Sequence, residues 1–217
     1  MEPIKLFRIV ALVSTLLFTL FAADRQVGAT DIPSPQDQLK PTIDKMIQVL
    51  NDQSLKGDAK RAERRAKIME IAHERFDFEE MSKRALGKEW RRRTPEERKK
   101  FVQLFTQLLE HAYIGKLEGY SGRNVTFLDQ RIKGKRAVVQ TTVTHNGKEI
   151  PVYYVMILKG DTWMVYDIII EGVSLLRNYI EQFKSILRKE KYEGLVKQLK
   201  EKIKKLEESG GDSADQS

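Results

Sequence analysis

The chain has no cysteine among its 217 residues. That absence excludes a disulfide framework, a thiol nucleophile and any thiolate metal site. Histidine is nearly as scarce. His73, His111 and His145 are the whole supply, and none has a histidine or carboxylate partner at the spacing of a metal motif. No glycine-rich run of the P-loop or dinucleotide type appears, so a nucleotide-cradling loop is absent. A Gly-x-Ser-x-Gly elbow is missing too, which leaves Ser174 without the setting of a nucleophile. The basic runs Arg91-Arg92-Arg93, Arg98-Lys99-Lys100 and Lys133 to Arg136 lack interleaved aromatics. A base-stacking nucleic-acid surface is therefore not expected.

Only one long uncharged run exists, Ile9 to Ala23. Lys5 and Arg8 precede it and Val27-Gly28-Ala29 follows it, which is the pattern of a cleavable secretory signal over residues 1–29. An uncleaved anchor is the alternative, although a bilayer span takes about 20 apolar residues. Cleavage would remove Lys5, Arg8 and Arg25 with Glu2 and Asp24, so the mature chain keeps +7 of the formal +8 charge. An exported basic protein meets membrane phosphates or acidic proteins more readily than nucleic acid. A core of this size folds without covalent staples, so export is compatible with the lack of cysteine.

Downstream, Thr30 to Gln36 reads as an extended lead-in with Pro33 and Pro35. Leu39, Ile43, Met46, Ile47 and Leu50 then recur at helical spacing, a helix that tolerates Pro41 only in its first turn. After Gly57-Asp58 a second helix is expected to bury Ala62, Ala66, Met69 and Ala72. A third, capped by Asp77 and stopped by Gly87, carries Phe78, Met81, Ala85 and Leu86. Thr94-Pro95-Glu96-Glu97 has the form of a capping box with proline at the first helical position. The helix it opens presents Phe101, Leu104, Phe105, Leu108, Ala112 and Tyr113 on one face and ends near Gly119.

The texture then changes. Val125–Lys133, Arg136–His145, Glu149–Lys159 and Thr162–Glu171 are rich in β-branched and aromatic residues, with turns at Gly134, Asn146-Gly147 and Gly160-Asp161. Short turns predict a four-stranded antiparallel meander. Both faces of the third strand are apolar: Ile150, Val152, Tyr154, Met156 and Leu158 on one, Tyr153, Val155 and Ile157 on the other. Apolar material must cover both sides, and helices alone suffice for that. Two further helices follow, Gly172–Lys189 and Tyr192–Leu206, then a polar tail over 209–217. The class is α+β, a single domain over 30–208 with a sheet packed by several helices. Within the strand region, Asp167 and Glu171 are the candidate acid/base pair of an enzyme reading, and Ser174 suits a helix cap.

Several segments together resemble the MlaC-type periplasmic phospholipid-binding proteins, the toluene-tolerance family. They are Phe76-Asp77-Phe78-Glu79-Glu80-Met81, Ala85-Leu86-Gly87 with Trp90, the Thr94 to Phe105 helix entry, and Tyr113. The closing signature is Trp163-x-Val165-x-Asp167 and Glu171-Gly172-Val173-Ser174, with Asn178-Tyr179 and Phe183 beyond. Ile180 stands where many members carry arginine. The resemblance implies a monomeric, non-enzymatic shuttle without a cofactor. Its cargo is phospholipid, moved between an outer-membrane lipoprotein complex and an inner-membrane ABC transporter complex to maintain outer-membrane lipid asymmetry. The acyl chains are expected in a deep apolar pocket between sheet and helices. Phe105, Leu109 and Tyr113, Tyr154 and Met156, and Ile168, Ile170, Val173 and Leu176 are the candidate lining. Two other classes stay open: a structural adaptor docking on envelope proteins, and a small α+β enzyme for an apolar substrate.

Overall fold

Four of the five α-helices among the described residues begin where a short polar side chain meets the free N–H groups of the first turn; the helix at Arg61 has no such cap. In the computed structural model, which describes residues 32–118, 124–145 and 147–209, helix α1 spans Pro35–Asn51. The Ser34 hydroxyl accepts from the Asp37 N–H at 3.2 Å, and Pro35 takes the first helical position. The helix thus starts before the expected lead-in ends, and Pro41 lies inside it rather than in its first turn. Its ring is exposed. Two 3-10 turns, Gln53–Leu55 and Asp58–Lys60, lead to α2, Arg61–Arg75. There Ile68 and Ala72 are the buried residues, whereas Ala62 and Ala66 face solvent. Ile68 packs with Leu50 of α1 and draws that side of α2 inward.

Helix α3, Phe78–Leu86, is capped by Asp77, whose Oδ1 accepts from the Glu80 N–H at 2.9 Å. A 3-10 turn, Gly87–Arg92, leads to α4, Pro95–Glu118. The expected capping box is present in both directions: Glu97 N–H to Thr94 Oγ1 at 3.2 Å, and Thr94 N–H to Glu97 Oε2 at 2.8 Å. The last helix, α5, runs Leu175–Glu208 with non-helical backbone at Lys191, so the two expected helices are one element with a kink.

The sheet has five antiparallel strands in the order 1-2-3-4-5: β1 Val125–Lys133, β2 Arg136–His145, β3 Lys148–Lys159, β4 Thr162–Ile170 and β5 Val173–Ser174. The fifth strand is the departure from the four expected. Glu171 (φ 49°) and Gly172 (φ 82°) form a two-residue turn that folds Val173 back onto Ile170. Positive φ at both central residues is the geometry of the tight hairpin turn that matches strand twist. The expected signal segment and all but the first residue of the expected tail lie outside the described residues.

The register sorts every strand residue onto a face, because opposed residues share one. Ala137, Val139, Thr141 and Val143 oppose Met156, Tyr154, Val152 and Ile150, and across β3 stand Val165, Ile168 and Ile170. Helix α1 covers this face: the Gln36 N–H donates to the Gln130 side chain, and the Lys40 ammonium lies 5.8 Å from the Phe127 ring. On the opposite face Val155 and Ile157 pack against a core built from α3, α4 and α5. The chain passes between the two sides at the open edge of β4, where Phe76 bridges Val165 and the Asp77 N–H donates to the Val165 carbonyl at 2.8 Å.

Replacing Gly172 by valine forces a β-branched side chain into left-handed backbone. A stability loss of about 1–2 kcal/mol is expected, read as a lower urea midpoint at unchanged slope.

Candidate functional site

Of the candidate acid/base pair, Asp167 lies on β4 and Glu171 in the turn after it, and the geometry of both is structural. Asp167 is buried, and its bulged strand turns it towards α5. Its Oδ1 accepts from the Leu176 N–H at 2.9 Å, and its Oδ2 accepts from the Ser174 hydroxyl at 2.6 Å. The Ser174 oxygen accepts in turn from the Arg177 N–H at 2.9 Å. Two side chains therefore satisfy the first turn of the longest helix. Glu171 is exposed in the hairpin turn, its N–H bonded to the Pro151 carbonyl at 3.0 Å. The two carboxylates do different structural jobs.

The nine candidate lining residues divide between the two faces. Phe105, Leu109 and Leu176 are buried in the helical core, with Tyr113 packed against it. The Phe105 ring meets Tyr179, Phe183 and Phe101 at centroid distances of 5.1, 5.4 and 6.0 Å. The Tyr179 hydroxyl is bonded to Tyr113, and burial raises its pKa. Tyr154, Met156, Ile168 and Ile170 stand on the other face of the sheet. Met156 is fully covered, while Ile168 and Ile170 are half-buried. Val173, at the β5 edge, is 64% exposed. The set fails to converge because strand alternation and the helix faces were both apolar, and periodicity does not say which helix covers which side.

The sheet face beneath α1 is apolar over three strands, interrupted by one polar pair. Thr141 donates to the Val152 carbonyl at 2.8 Å and is bonded to the Tyr154 hydroxyl, whose pKa burial pushes up to about 12. Separately, a cavity of about 490 Å³ opens where the chain rounds the β4 edge, between α2, α4 and the Phe76–Glu79 segment. Met69, Phe76, Phe78, Val102 and Met164 make its apolar wall, with His73, Gln103, Gln107 and Glu110 at polar positions. None of these was a candidate lining residue, although Phe76-Asp77-Phe78 carried part of the resemblance. Asp77 is ion-paired with Lys159, which holds this segment to the end of β3. Among the described residues no cluster of three or more potential metal ligands occurs, and no helix is long and apolar enough to cross a membrane.

The family model for the MlaC protein matches residues 40–201. The chain belongs to the MlaC family. Its relatives include the intermembrane phospholipid transport system binding protein MlaC of Haemophilus influenzae, 26% identical over 131 residues, or 58% of this chain and 61% of that one. The toluene tolerance protein ttg2D of Pseudomonas putida is 30% identical over 101 residues, 46% of this chain and 47% of that one. The match thus spans less than two thirds of either relative. A solved structure covers more: the phospholipid-binding protein from Ralstonia solanacearum, in complex with a phospholipid, has a TM-score of 0.72 and 27% identity over 81% of this chain and 99% of that one. Within this chain, the signature Trp163-x-Val165-x-Asp167 encodes packing and capping. Trp163 and Val165 are buried, and the Trp163 N–H donates to Gln38 Oε1 of α1 at 2.9 Å.

Two measurements check this account. Asp167→Ala removes two charge-assisted bonds and is expected to cost about 3 kcal/mol, with Ser174→Ala nearer 1 kcal/mol, by urea denaturation. Tyr154 gives an alkaline signature. Its neutral form is favoured in the folded state, so its contribution is complete below about pH 10, the unfolded value, and is lost as the pH rises towards 12. Tyr154→Phe should flatten the fall in stability across that window, with Tyr179 and Tyr192, whose pKa values burial also raises, contributing to the remaining slope.

Proposed function

We propose that this protein is a periplasmic phospholipid carrier without catalytic activity. The observation that carries the reading is the Ralstonia solanacearum structure, solved with a phospholipid and matched over 99% of its own length. The occupied oxygens of Asp167 support the non-enzymatic part, since a carboxylate capping a helix is unavailable as a general acid or base. The cargo's acyl chains lie on the α1-covered sheet face, against Tyr154, Met156, Ile168 and Ile170, with Val173 at the mouth. Phe105, Leu109, Tyr113 and Leu176 form the helical support behind that sheet.

Solvent avoidance explains the need for such a carrier. Each buried methylene contributes about 0.8 kcal/mol, so two long acyl chains resist entering water by an amount on the order of 20 kcal/mol. A pocket exchanges bilayer contacts for protein contacts and makes transfer nearly isoenergetic. The driving energy comes from a partner, an inner-membrane ABC transporter complex, with an outer-membrane lipoprotein complex at the other end of the route. The reading includes a cleaved signal at residues 1–29 and a monomeric carrier.

Native mass spectrometry of the purified protein, with organic extraction of what copurifies, tests this directly. A stoichiometric adduct of phospholipid mass is expected. Ile170→Arg and Val173→Arg should remain folded and lose occupancy by roughly tenfold or more. A bare protein mass that persists after incubation with liposomes would overturn the carrier in favour of an adaptor.

A further inference from the structure

Two basic segments meet at one corner of the molecule. Residues 88–100 contain seven basic and three acidic side chains, and residues 188–191 contain three basic and one acidic, so these two segments carry +6 of the chain's formal +8. The fold brings them together. The Tyr192 hydroxyl donates to the Glu97 carbonyl at 3.2 Å, and the Arg93 guanidinium stacks 4.6 Å from the Tyr192 ring. This contact fixes the kink at Lys191 beside the start of α4.

Three of the four acidic residues of the corner are already engaged by neighbours. Glu89 pairs with Arg92 and Arg93, Glu97 with Arg93 and the Thr94 N–H, and Glu190 accepts from Gln198. Arg98 is spent locally, donating to the Trp90 carbonyl at 3.0 Å. Lys88, Arg91, Lys99, Lys100, Arg188, Lys189 and Lys191 are exposed and make no ion pair among the described residues. Seven free cations thus face solvent around this corner.

We propose that this corner docks the protein on an anionic phospholipid bilayer, a step that rests on the carrier reading above. The composition of the surface selects the partner. A stable protein interface needs an apolar centre within its polar rim. Here Trp90 is buried, and the large exposed hydrophobics of the described residues, Leu128, Ile132 and Val173, all lie on the sheet. Long flexible cations without an apolar centre match a fluid lattice of headgroup phosphates, where each lysine or arginine adds to binding independently. The docking is reversible and salt-sensitive, as a shuttle requires.

Cosedimentation of the purified protein with phosphatidylglycerol-containing and pure phosphatidylcholine vesicles tests the proposal. Binding to the anionic vesicles alone, weakening as salt rises, is expected. The triple variant Arg91→Glu, Lys99→Glu, Lys100→Glu should bind them roughly 100-fold less well or weaker. Lys133→Glu, Lys135→Glu, Arg136→Glu changes the net charge equally at the β1–β2 turn and should keep most of the binding. Circular dichroism and melting of both variants establish that they are folded. Equal loss in the two triples would overturn the proposal, because binding would then follow net charge alone. Retention on immobilised poly-glutamate without vesicle binding would also overturn it, in favour of an acidic protein partner. Vesicle binding by a protein that carries no copurifying lipid would instead count against the carrier and leave the surface standing.

Discussion

Asp167 ties the sheet to the longest helix. Its carboxylate leaves a bulged β4, receives the Leu176 N–H and the Ser174 hydroxyl, and so fixes where α5 starts and which way it points. Everything on the helical side follows from that direction. Leu176, Tyr179 and Phe183 descend onto Phe101 and Phe105, and the kink at Lys191 sends Leu195, Leu199 and Ile203 on into the same core. A buried charge is costly when unpaired. Here it stands against a helix N-terminus, where N–H groups lack intrahelical partners and the dipole favours an anion.

The second organising feature is the open edge of β4. The chain crosses it at Phe76-Asp77, with α1 on one side, α3 belonging to the core of the other, and Ile68 of α2 packed with both Leu50 of α1 and Ile114 of α4. Strands β3 and β4 are therefore covered on both faces without a crossover between parallel strands, while β1 stays largely exposed. That arrangement separates two tasks. A rigid aromatic core supports one face, while the other is a broad apolar floor roofed by α1. On the carrier reading, cargo occupies the floor, and its polar interruption at Thr141 and Tyr154 is internally satisfied, so an acyl chain meets no unpaired polar group there.

Charge and apolar surface are segregated as well. The large exposed hydrophobics lie on the strands, and seven cations without an ion pair stand where α4 begins and α5 bends. Docking through the corner would leave the sheet edge with Val173 free. Binding of the surface and binding of the cargo are thereby separable by mutation.

Local chemistry was legible in the residues themselves. The capping box at Thr94, the cap at Asp77, the helix stop at Gly87 and the strand limits each depend on neighbours within a few positions, and each was written in order along the chain. Glu171-Gly172 shows where that legibility ends. A glycine between a strand and a helix is compatible with a simple exit, and only pairing of Val173 with Ile170 makes it a hairpin with a fifth strand. Tyr154 and Phe105 make the same point for the site. Both stand in apolar periodic stretches, yet register and helix packing put them on opposite sides of one sheet. By itself the sequence determined the elements, their caps and the α+β class, because those are set by local backbone hydrogen bonding and side-chain period. Only the tertiary structure decided which faces meet, that Asp167 is a cap, and that two distant basic segments form one surface, because those depend on contacts between residues far apart in the chain.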